Sequence, residues 1–167
     1  MTEAGRGESG PDTMQCTSRP GAEDDLSVLA IFERELARAA FPEDPILDLE
    51  YHEEKLRRAL RQEPEGMIVQ TVHGEIVAWL WLSTKKTLAT GEKYGVVRSL
   101  YVRGRYRRHG LALGLAEYAL RYFRARGVGK IVAKLHAENQ AALQVFRRAG
   151  FAPLHLTLQR RLDSGSP

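Results

Sequence analysis

The first part of the chain contains two segments whose apolar residues recur at helical spacing. One segment begins near Asp24, and four of its apolar residues fall on one helical face: Leu26, Leu29, Phe32 and Leu36. We expect this helix to end in residues 41–45, because proline disfavours helical geometry in the residue that precedes it. A second amphipathic helix is predicted over residues 49–61, where Leu56 and Leu60 mark the buried side.

A two-residue repeat follows and predicts a β-hairpin. Residues 67–72 and 75–82 are rich in β-branched and aromatic side chains, and His73-Gly74 between them forms a short turn. In a regular second strand, three side chains would share one face: Val77, Trp79 and Trp81. The hairpin therefore supplies the first two strands of a sheet.

The second half of the chain alternates between strands and helices. Strands are predicted over residues 96–102 and 130–136, and residues 110–126 between them form an amphipathic helix that Gly127 ends. This strand–helix–strand order is typical of a right-handed crossover between two parallel strands.

The last predicted elements complete the fold class. A helix is predicted over residues 140–149 with Asn139 as its N-cap, and a last strand over residues 153–162. The order α-α-β-β-β-α-β-α-β predicts an α/β fold in one domain. We expect a mixed, mostly antiparallel sheet flanked by helices, with a central parallel β-α-β pair whose strands splay apart at the ligand site.

Three parts of the chain differ in composition. Residues 1–23 are rich in Gly, Ser, Thr, Pro and acidic residues and have no apolar periodicity, which predicts a disordered N-terminal tail. Residues 24–163 contain every predicted helix and strand and form the folded domain. Residues 164–167 are predicted to fray.

The composition excludes several classes of protein. The chain has 167 residues, of which 43% are hydrophobic and 28% charged, as in an ordinary globular domain. No apolar run approaches the ~18 residues that cross a membrane, and the polar N-terminus lacks the apolar core of a signal peptide. The single cysteine, Cys16, excludes an internal disulfide, and no Cys/His cluster has zinc-ligand spacing. We therefore expect a cytoplasmic protein that binds neither membrane nor metal.

Positive charge is concentrated in the second half of the chain. The net charge is +4, but residues 98–161 contain 14 basic and 2 acidic residues. The remainder of the chain is accordingly acidic. Such asymmetry indicates an anionic ligand for the second half, and both nucleic acid and a phosphorylated cofactor fit it.

The stretch RYRRHGLALG, residues 105–114, gathers three arginines and two glycines at a predicted helix N-terminus. Backbone amides at such a terminus lack intrahelical acceptors and carry the positive end of the helix dipole, so they attract anions. Gly110 would let a phosphate approach the backbone, and Arg107 and Arg108 could add charge-assisted hydrogen bonds. In the alternative interpretation, Gly110 and Gly114 serve helix packing and the arginines solvate a turn.

Two motifs resemble those of a known family. Residues 99–120, SLYVRGRYRRHGLALGLAEYAL, resemble the acyl-CoA-binding motif of the GNAT superfamily of N-acyltransferases. The core of that motif is Gln or Arg, two residues of any kind, Gly, one residue of any kind, and Gly or Ala, which residues 107–112 match. Residues 139–151, NQAALQVFRRAGF, resemble the family's next motif. The matching residues there are Asn139, Ala142, Phe146, Gly150 and Phe151.

The resemblance implies acetyl-CoA as the acyl donor and assigns residues to it. The backbone of Leu100, Tyr101 and Val102, at a strand bulge, would pair with the pantetheine arm like an added strand. Arg107 matches the first position of the motif, and Asn139 matches an asparagine that contacts the cofactor. The amides that would surround the pyrophosphate are those of Arg108, His109, Gly110, Leu111, Ala112 and Leu113.

Three positions depart from the family pattern. The general acid is often a tyrosine in the second motif, and Phe146, at that position beside the thioester, cannot donate a proton. The base is often a glutamate on one of the splayed strands, where this chain has Arg98 and Lys134. His136 is our candidate catalytic base: strand alternation would place it on the side of Lys134, whose charge would disfavour the protonated ring. A structural strand-end histidine is the alternative. The other candidates are Glu138, the hydroxyls of Ser99 and Tyr101, and water acting with backbone carbonyls.

Three functions remain open at this point. The first is an N-acetyltransferase that moves an acetyl group directly from acetyl-CoA to a primary amine of a small molecule, a protein N-terminus or a lysine. The second is an acyl-CoA-binding module with weak or no catalysis, which the three departures suggest. The third is a nucleic-acid-binding protein that uses the basic half, although no nucleic-acid module pattern appears. The short last strand also suggests that a second subunit completes the sheet in a homodimer.

Overall fold

The structure is a computed structural model that describes residues 15–155, 157, 158 and 160. In this part of the chain, five strands and four α-helices are joined by short connections. The strands are β1 (Cys16–Pro20), β2 (Met67–Val72), β3 (Glu75–Lys86), β4 (Lys93–Val102) and β5 (Ile131–Ala133). The helices are α1 (Leu26–Ala40), α2 (Leu49–Gln62), α3 (Leu111–Ala125) and α4 (Gln140–Arg148).

The strands form one mixed sheet in the order β1-β2-β3-β4-β5. The first three pairings are antiparallel, whereas β4 and β5 are parallel and connected by a crossover through α3. Their pairing runs only from Gly95–Ile131 to Val97–Ala133, so β4 continues for residues 98–102 after β5 has ended. The predicted α/β fold with a splayed parallel pair is confirmed, although this pair lies at one edge of the described sheet.

Each face of the sheet carries its own apolar core. One core lies under α3 and α4 and includes Leu80, Leu115 and Phe123, each almost fully buried. The other core lies under α1 and α2 and includes Leu29, Leu56 and Trp79. The two layers of helices explain the near-continuous burial of β3, which is covered on both faces along most of its length.

Two irregularities in the pairing change which side chains share a face. Gln70 pairs with Ala78 and the next residue, Thr71, pairs with Ile76, so Val77 is an extra residue in β3. Val77 consequently packs in the core under α3, whereas Trp79 and Trp81 pack under α1 and α2. The prediction that these three side chains share a face is wrong for Val77, because a bulge reverses the alternation.

The folded part of the chain begins at an earlier residue than the composition predicts. β1 forms an antiparallel pair with β2, from Cys16–Val72 to Pro20–Ile68, inside the segment predicted to be a disordered tail. That prediction is wrong for residues 16–20. Backbone pairing holds this exposed edge strand, together with an ion pair of 2.6 Å from Arg19 Nη1 to Asp25 Oδ2, so it needs no apolar repeat. Residues 1–14 lie outside the described part of the chain.

The end of the chain differs from the prediction in two places. The strand predicted over residues 130–136 is limited to Ile131–Ala133, and residues 134–136 are not in a strand. None of the described residues in the predicted last strand, 153–155, 157, 158 and 160, has strand structure. Residues 156, 159 and 161–167, which include the segment predicted to fray, lie outside the described residues.

Candidate active site

The connection from β4 to α3 is fixed to the β2–β3 hairpin by one carboxylate. Glu75 forms one ion pair with Arg103, at 2.9 Å from Nη1, and another with Arg105. It also accepts a hydrogen bond of 3.2 Å from the Tyr106 hydroxyl. The hydrogen bond from Arg105 lowers the pKa of Glu75. The Arg105 side chain is therefore already paired with a carboxylate of the protein.

The side chain of Arg107 fixes the next part of the connection. Its Nε donates a hydrogen bond of 2.9 Å to the carbonyl oxygen of Val102, the last residue of β4. Its guanidinium also lies 5.9 Å from the centre of the Tyr101 ring. Arg107 thus ties the start of the loop to the end of the strand, while the neighbouring Arg108 is exposed.

Six consecutive backbone amides at the start of α3, those of residues 108–113, have no acceptor among the described residues. Two left-handed residues shape this loop: Arg108 has a φ of 66° and Gly110, the N-cap, has a φ of 80°. Amides without acceptors at a helix N-terminus, together with the helix dipole, favour the binding of an anion. The predicted residues Arg108, His109, Gly110, Leu111, Ala112 and Leu113 all lie in this loop and first turn.

The two glycines of the motif do not serve helix packing. A Cβ atom placed on Gly110 or on Gly114 would meet no protein atom within 4 Å. Gly110 is required by its left-handed backbone, and Gly114 leaves open space on the exposed face of α3. The packing alternative is therefore wrong, and both glycines leave the helix N-terminus accessible.

The open edge of β4 lies beside these amides. No strand among the described residues pairs with residues 98–102 on the side of β5. The side chain of Leu100 packs on the core under α3, and the Tyr101 ring stacks on Phe32 at 4.4 Å, so the cores orient this edge. The bulge predicted near Leu100 lies at Arg98, the unpaired residue between Val97–Leu82 and Ser99–Trp81.

Asn139 and His136 shape the start of α4. Asn139 is the predicted N-cap, and its Oδ1 accepts a hydrogen bond of 3.1 Å from the Ala142 amide. His136 Nδ1 lies 3.3 Å from the Glu138 amide, so in this arrangement Nδ1 accepts and the proton of a neutral ring lies on Nε2. Because β5 ends at Ala133, strand alternation cannot orient His136, and that part of our argument is wrong.

Phe146 belongs to the core. Its side chain is 5% exposed and meets Phe151 edge-to-face at 5.1 Å. Together the two rings hold α4 against α3. The structure therefore gives Phe146 a packing role, which accounts for an aromatic side chain without a hydroxyl at this position.

Ion pairs between the two halves of the chain neutralise part of the excess charge that each half carries. Arg103 and Arg105 pair with Glu75, and Arg126 pairs with Glu65 at 2.7 Å. These basic residues of the second half thus neutralise acidic residues of the first. The basic half is accordingly less available as a nucleic-acid surface than its composition suggests.

A second group of cations lines an open pocket of about 250 Å³ between α2, β3 and β4. The basic residues of this pocket are Lys55, Arg58, Lys85 and Arg98. Lys55 Nζ and the Arg98 guanidinium lie 5.4 and 5.2 Å from the centre of the Trp81 ring. One carboxylate also lines the pocket, that of Glu63, and it accepts hydrogen bonds of 3.0 and 3.3 Å from the Thr84 amide.

Two residues near this pocket were missed by the sequence analysis. Glu33 is 5% exposed and accepts from Trp79 Nε1 at 3.0 Å and from Lys55 Nζ at 2.7 Å. Ser83, which lines the pocket, is 7% exposed. Both had a detectable signal: Glu33 lies one helical turn after Leu29 on the apolar face of α1, and Ser83 follows Trp81 on the same face of β3.

No group of three or more His, Cys, Asp or Glu side chains is arranged to hold a metal ion in the part of the chain that the structure describes. Within the same residues, no helix has the length and apolar character that spanning a membrane requires.

The splayed parallel pair and the free amides at the start of the helix between its strands lie where the sequence resembles the acyl-CoA-binding motif of the GNAT superfamily. A model of the acetyltransferase (GNAT) family matches residues 30–151. The chain therefore belongs to the GNAT acetyltransferase family.

Curated relatives agree with this family assignment. The chain is 30% identical to a mycothiol acetyltransferase of Streptomyces bingchenggensis over 148 residues, which cover 89% of this chain and 46% of the relative. It spans less than half the length of the mycothiol acetyltransferases it matches.

Two solved structures share the fold. One is a GCN5-related N-acetyltransferase from Ralstonia eutropha, with a TM-score of 0.68, 21% identity, and coverage of 88% of this chain and 99% of that one. The other is a ribosomal-protein-alanine N-acetyltransferase from Brucella melitensis, with a TM-score of 0.67, 18% identity, and coverage of 89% of this chain and 99% of that one.

Proposed function

We propose that this protein is an N-acetyltransferase that moves the acetyl group of acetyl-CoA directly to a primary amine, without a metal. One observation carries the proposal: six amides without an acceptor at residues 108–113 lie beside the open edge of β4. The amides suit the pyrophosphate of acetyl-CoA, and the open edge suits the amide groups of its pantetheine arm.

The residues that would hold acetyl-CoA fall into two groups. Backbone groups of Leu100, Tyr101 and Val102 would pair with the pantetheine arm, and Arg108 through Leu113 would surround the pyrophosphate. Arg107 would act mainly by holding the loop to β4, since its Nε is already bonded to Val102. Asn139 and Phe146 would support the site from α4, Asn139 as the N-cap of this helix and Phe146 from within the core.

Acetyl-CoA supplies the acetyl group as a thioester. A C–N bond forms between the acetyl carbon and the amine, the C–S bond breaks, the amine loses a proton, and the CoA sulfur gains one. We propose that His136 handles one of these protons. With Nδ1 accepting from the Glu138 amide, its Nε2–H would donate toward the sulfur, and a base role would require that contact to open. Positioning of the two substrates would supply the rest of the rate.

The acceptor is a primary amine of a small molecule, a protein N-terminus or a lysine. The curated relatives are named mycothiol acetyltransferases, and one solved structure is named a ribosomal-protein-alanine N-acetyltransferase. Acceptors therefore differ among proteins with this fold. A cytoplasmic location and a homodimer stay predictions. Light scattering coupled to size-exclusion chromatography tests the dimer.

Calorimetry with acetyl-CoA, followed by a thiol-release assay over a panel of amines, tests the proposal. We expect binding in the micromolar range, weakened at least tenfold in Gly110→Asp, because a carboxylate there repels the pyrophosphate. Gly127→Asp is the matched control, since Gly127 also has a positive φ with open space around it but lies at the other end of α3.

Two results would contradict the proposal in different ways. No binding at millimolar acetyl-CoA would remove the donor assignment altogether. Tight binding without thiol release on any amine would instead identify an acyl-CoA-binding module without catalysis.

A further inference from the structure

We infer that the pocket between α2, β3 and β4 binds an anionic group, a carboxylate or phosphate, carried by the amine acceptor itself. The inference rests on the proposed function and adds the chemical class of the substrate. It is carried by the charge of the pocket, by one buried hydroxyl, and by Arg98, which lines the pocket and begins the open edge of β4.

The pocket has an excess of positive charge that its own residues do not neutralise. Lys55 is paired with Glu33 across α1 and α2. Arg58, Lys85 and Arg98 form no ion pair among the described residues, and Glu63, the one carboxylate in the lining, accepts from the Thr84 amide, so the cations remain in excess. Like charges gathered around one pocket repel each other, and an anion between them would remove that repulsion.

A buried hydroxyl provides the second, independent observation. Ser83 is 7% exposed and lines the pocket, and its Oγ atom has no hydrogen-bond partner. A buried polar atom without a partner costs free energy, so such atoms are rare unless a ligand completes them. Oxygen atoms of a carboxylate or phosphate accept from a hydroxyl and from guanidinium and ammonium groups, so an anion that reached the covered Oγ atom would bind Ser83 together with its cationic neighbours.

The position of Arg98 connects this pocket to the transfer reaction. Arg98 is the bulge residue of β4, directly after the last pair with β5 and at the start of the open edge. Its guanidinium lies over Trp81, on the α1 and α2 face of the sheet, where Ser83 also lies. An acceptor whose anionic group binds at the Arg98 end of the pocket would therefore have its amine close to the point where β4 and β5 part.

This arrangement also accounts for one departure from the family pattern. A glutamate is usual in the family at the position of Arg98, and here a cation takes its place. In our interpretation Arg98 binds the acceptor and does not remove a proton. The same charge excludes polycationic acceptors such as polyamines, which would be repelled by Arg58, Lys85 and Arg98.

Matched pairs of amines test the inference through activity. At saturating acetyl-CoA, we would compare O-phosphoethanolamine with ethanolamine and β-alanine with propylamine. We expect kcat/KM to favour the anionic member of each pair by roughly tenfold or more, which corresponds to one charge-assisted hydrogen bond. Equal or better use of the neutral amines would overturn the inference.

Two neighbouring lysines of β3 provide a matched pair of variants. Lys85 lines the pocket, and Lys86, the next residue, is exposed and does not line it. We expect Lys85→Gln to reduce the preference for anionic over neutral amines severalfold. Lys86→Gln should leave this preference unchanged. If the two variants behave alike, only the net charge of the protein matters, and the pocket assignment is wrong.

A binding experiment separates this inference from the proposed function. Titration with inorganic phosphate, followed through the amide NMR shifts of Ser83 and Arg98, reports on the pocket without catalysis. We expect saturable shifts that Ser83→Ala weakens, while the Tm of that variant is unchanged or higher because an unpaired hydroxyl is gone. Absence of shifts at millimolar phosphate would overturn the anion site.

The two experiments together identify which proposal fails. If phosphate binds in the pocket but no amine is acetylated, the proposed function fails and the anion site stands. If phosphate binds and neutral amines are acetylated as well as anionic ones, the anion is a separate ligand, and the inference about the acceptor is wrong.

Discussion

Arg107 donates a hydrogen bond of 2.9 Å from Nε to the carbonyl oxygen of Val102, and this bond joins the two parts of the candidate donor site. Val102 ends the open edge of β4, and Arg107 begins the loop whose amides have no acceptor. One side chain thus sets the distance between the groups that would hold the pantetheine arm and those that would hold the pyrophosphate.

Replacement of the two neighbouring arginines should separate positioning from charge. We expect Arg107→Ala to lower the Tm and to weaken acetyl-CoA binding about tenfold, because the loop loses its bond to β4. Arg108→Ala should leave the Tm unchanged and weaken binding in proportion to the loss of one exposed charge, so that binding depends less on salt. Thermal unfolding and calorimetry at two salt concentrations measure both effects. Identical behaviour of the two variants would contradict this division.

Glu75 should control acetyl-CoA affinity without touching the ligand. We expect Glu75→Gln to weaken binding severalfold, because Arg103 and Arg105 lose the carboxylate that orders the loop. Glu65→Gln is the matched control, since Glu65 pairs with Arg126 beyond the other end of α3. Calorimetry should show a change only for Glu75→Gln; an equal change in the control would remove the positioning role.

The two glycines of the motif should respond to alanine with opposite signs. Gly114→Ala should stabilise the protein by roughly 0.5–1 kcal/mol, because Gly114 is an exposed helical residue with open space around it. Gly110→Ala should destabilise it by about 1 kcal/mol, because the φ of 80° is unfavourable for a residue with a Cβ. Urea denaturation measures both, and a shift of the same sign in the two variants would contradict the assigned backbone.

The ion pair between Arg19 and Asp25 should make the docking of β1 depend on pH. The hydrogen bond from Arg19 lowers the pKa of Asp25 in the folded state. The contribution to stability is therefore complete above the unfolded pKa of about 4 and is lost as the pH falls through the lower folded value. We expect Asp25→Asn to cost about 2 kcal/mol at neutral pH. In urea denaturation from neutral to acidic pH, the difference between wild type and variant should shrink; a constant difference would contradict it.

His136 should affect turnover and not donor binding. We expect His136→Ala to lower kcat about a hundredfold, the usual effect of losing one acid or base, while the Kd for acetyl-CoA stays unchanged. His73→Asn is the control, since His73 is exposed in the β2–β3 turn with a φ of 49° that asparagine tolerates. An unchanged kcat would leave His136 with its structural contact to the Glu138 amide.

The sequence by itself determined the elements whose signals are local. Helical spacing of apolar residues predicted α1 to α3, the His73-Gly74 turn predicted the hairpin, and Asn139 predicted the start of α4. The glycine-arginine stretch predicted an anion site for the same reason, because free amides at a helix N-terminus depend only on neighbouring residues.

Only the tertiary structure decided the features that depend on partners distant in sequence. Bulges at Val77 and Arg98 are set by pairing with another strand, and β1 forms because β2 offers an edge, although the sequence of β1 has no apolar repeat. The same holds for the cations: Arg105 is neutralised by Glu75, thirty positions earlier, whereas Arg98 joins Lys85 and Ser83 across the sheet. Charge can be counted from sequence, but whether a charge is already paired depends on which residues the fold brings together.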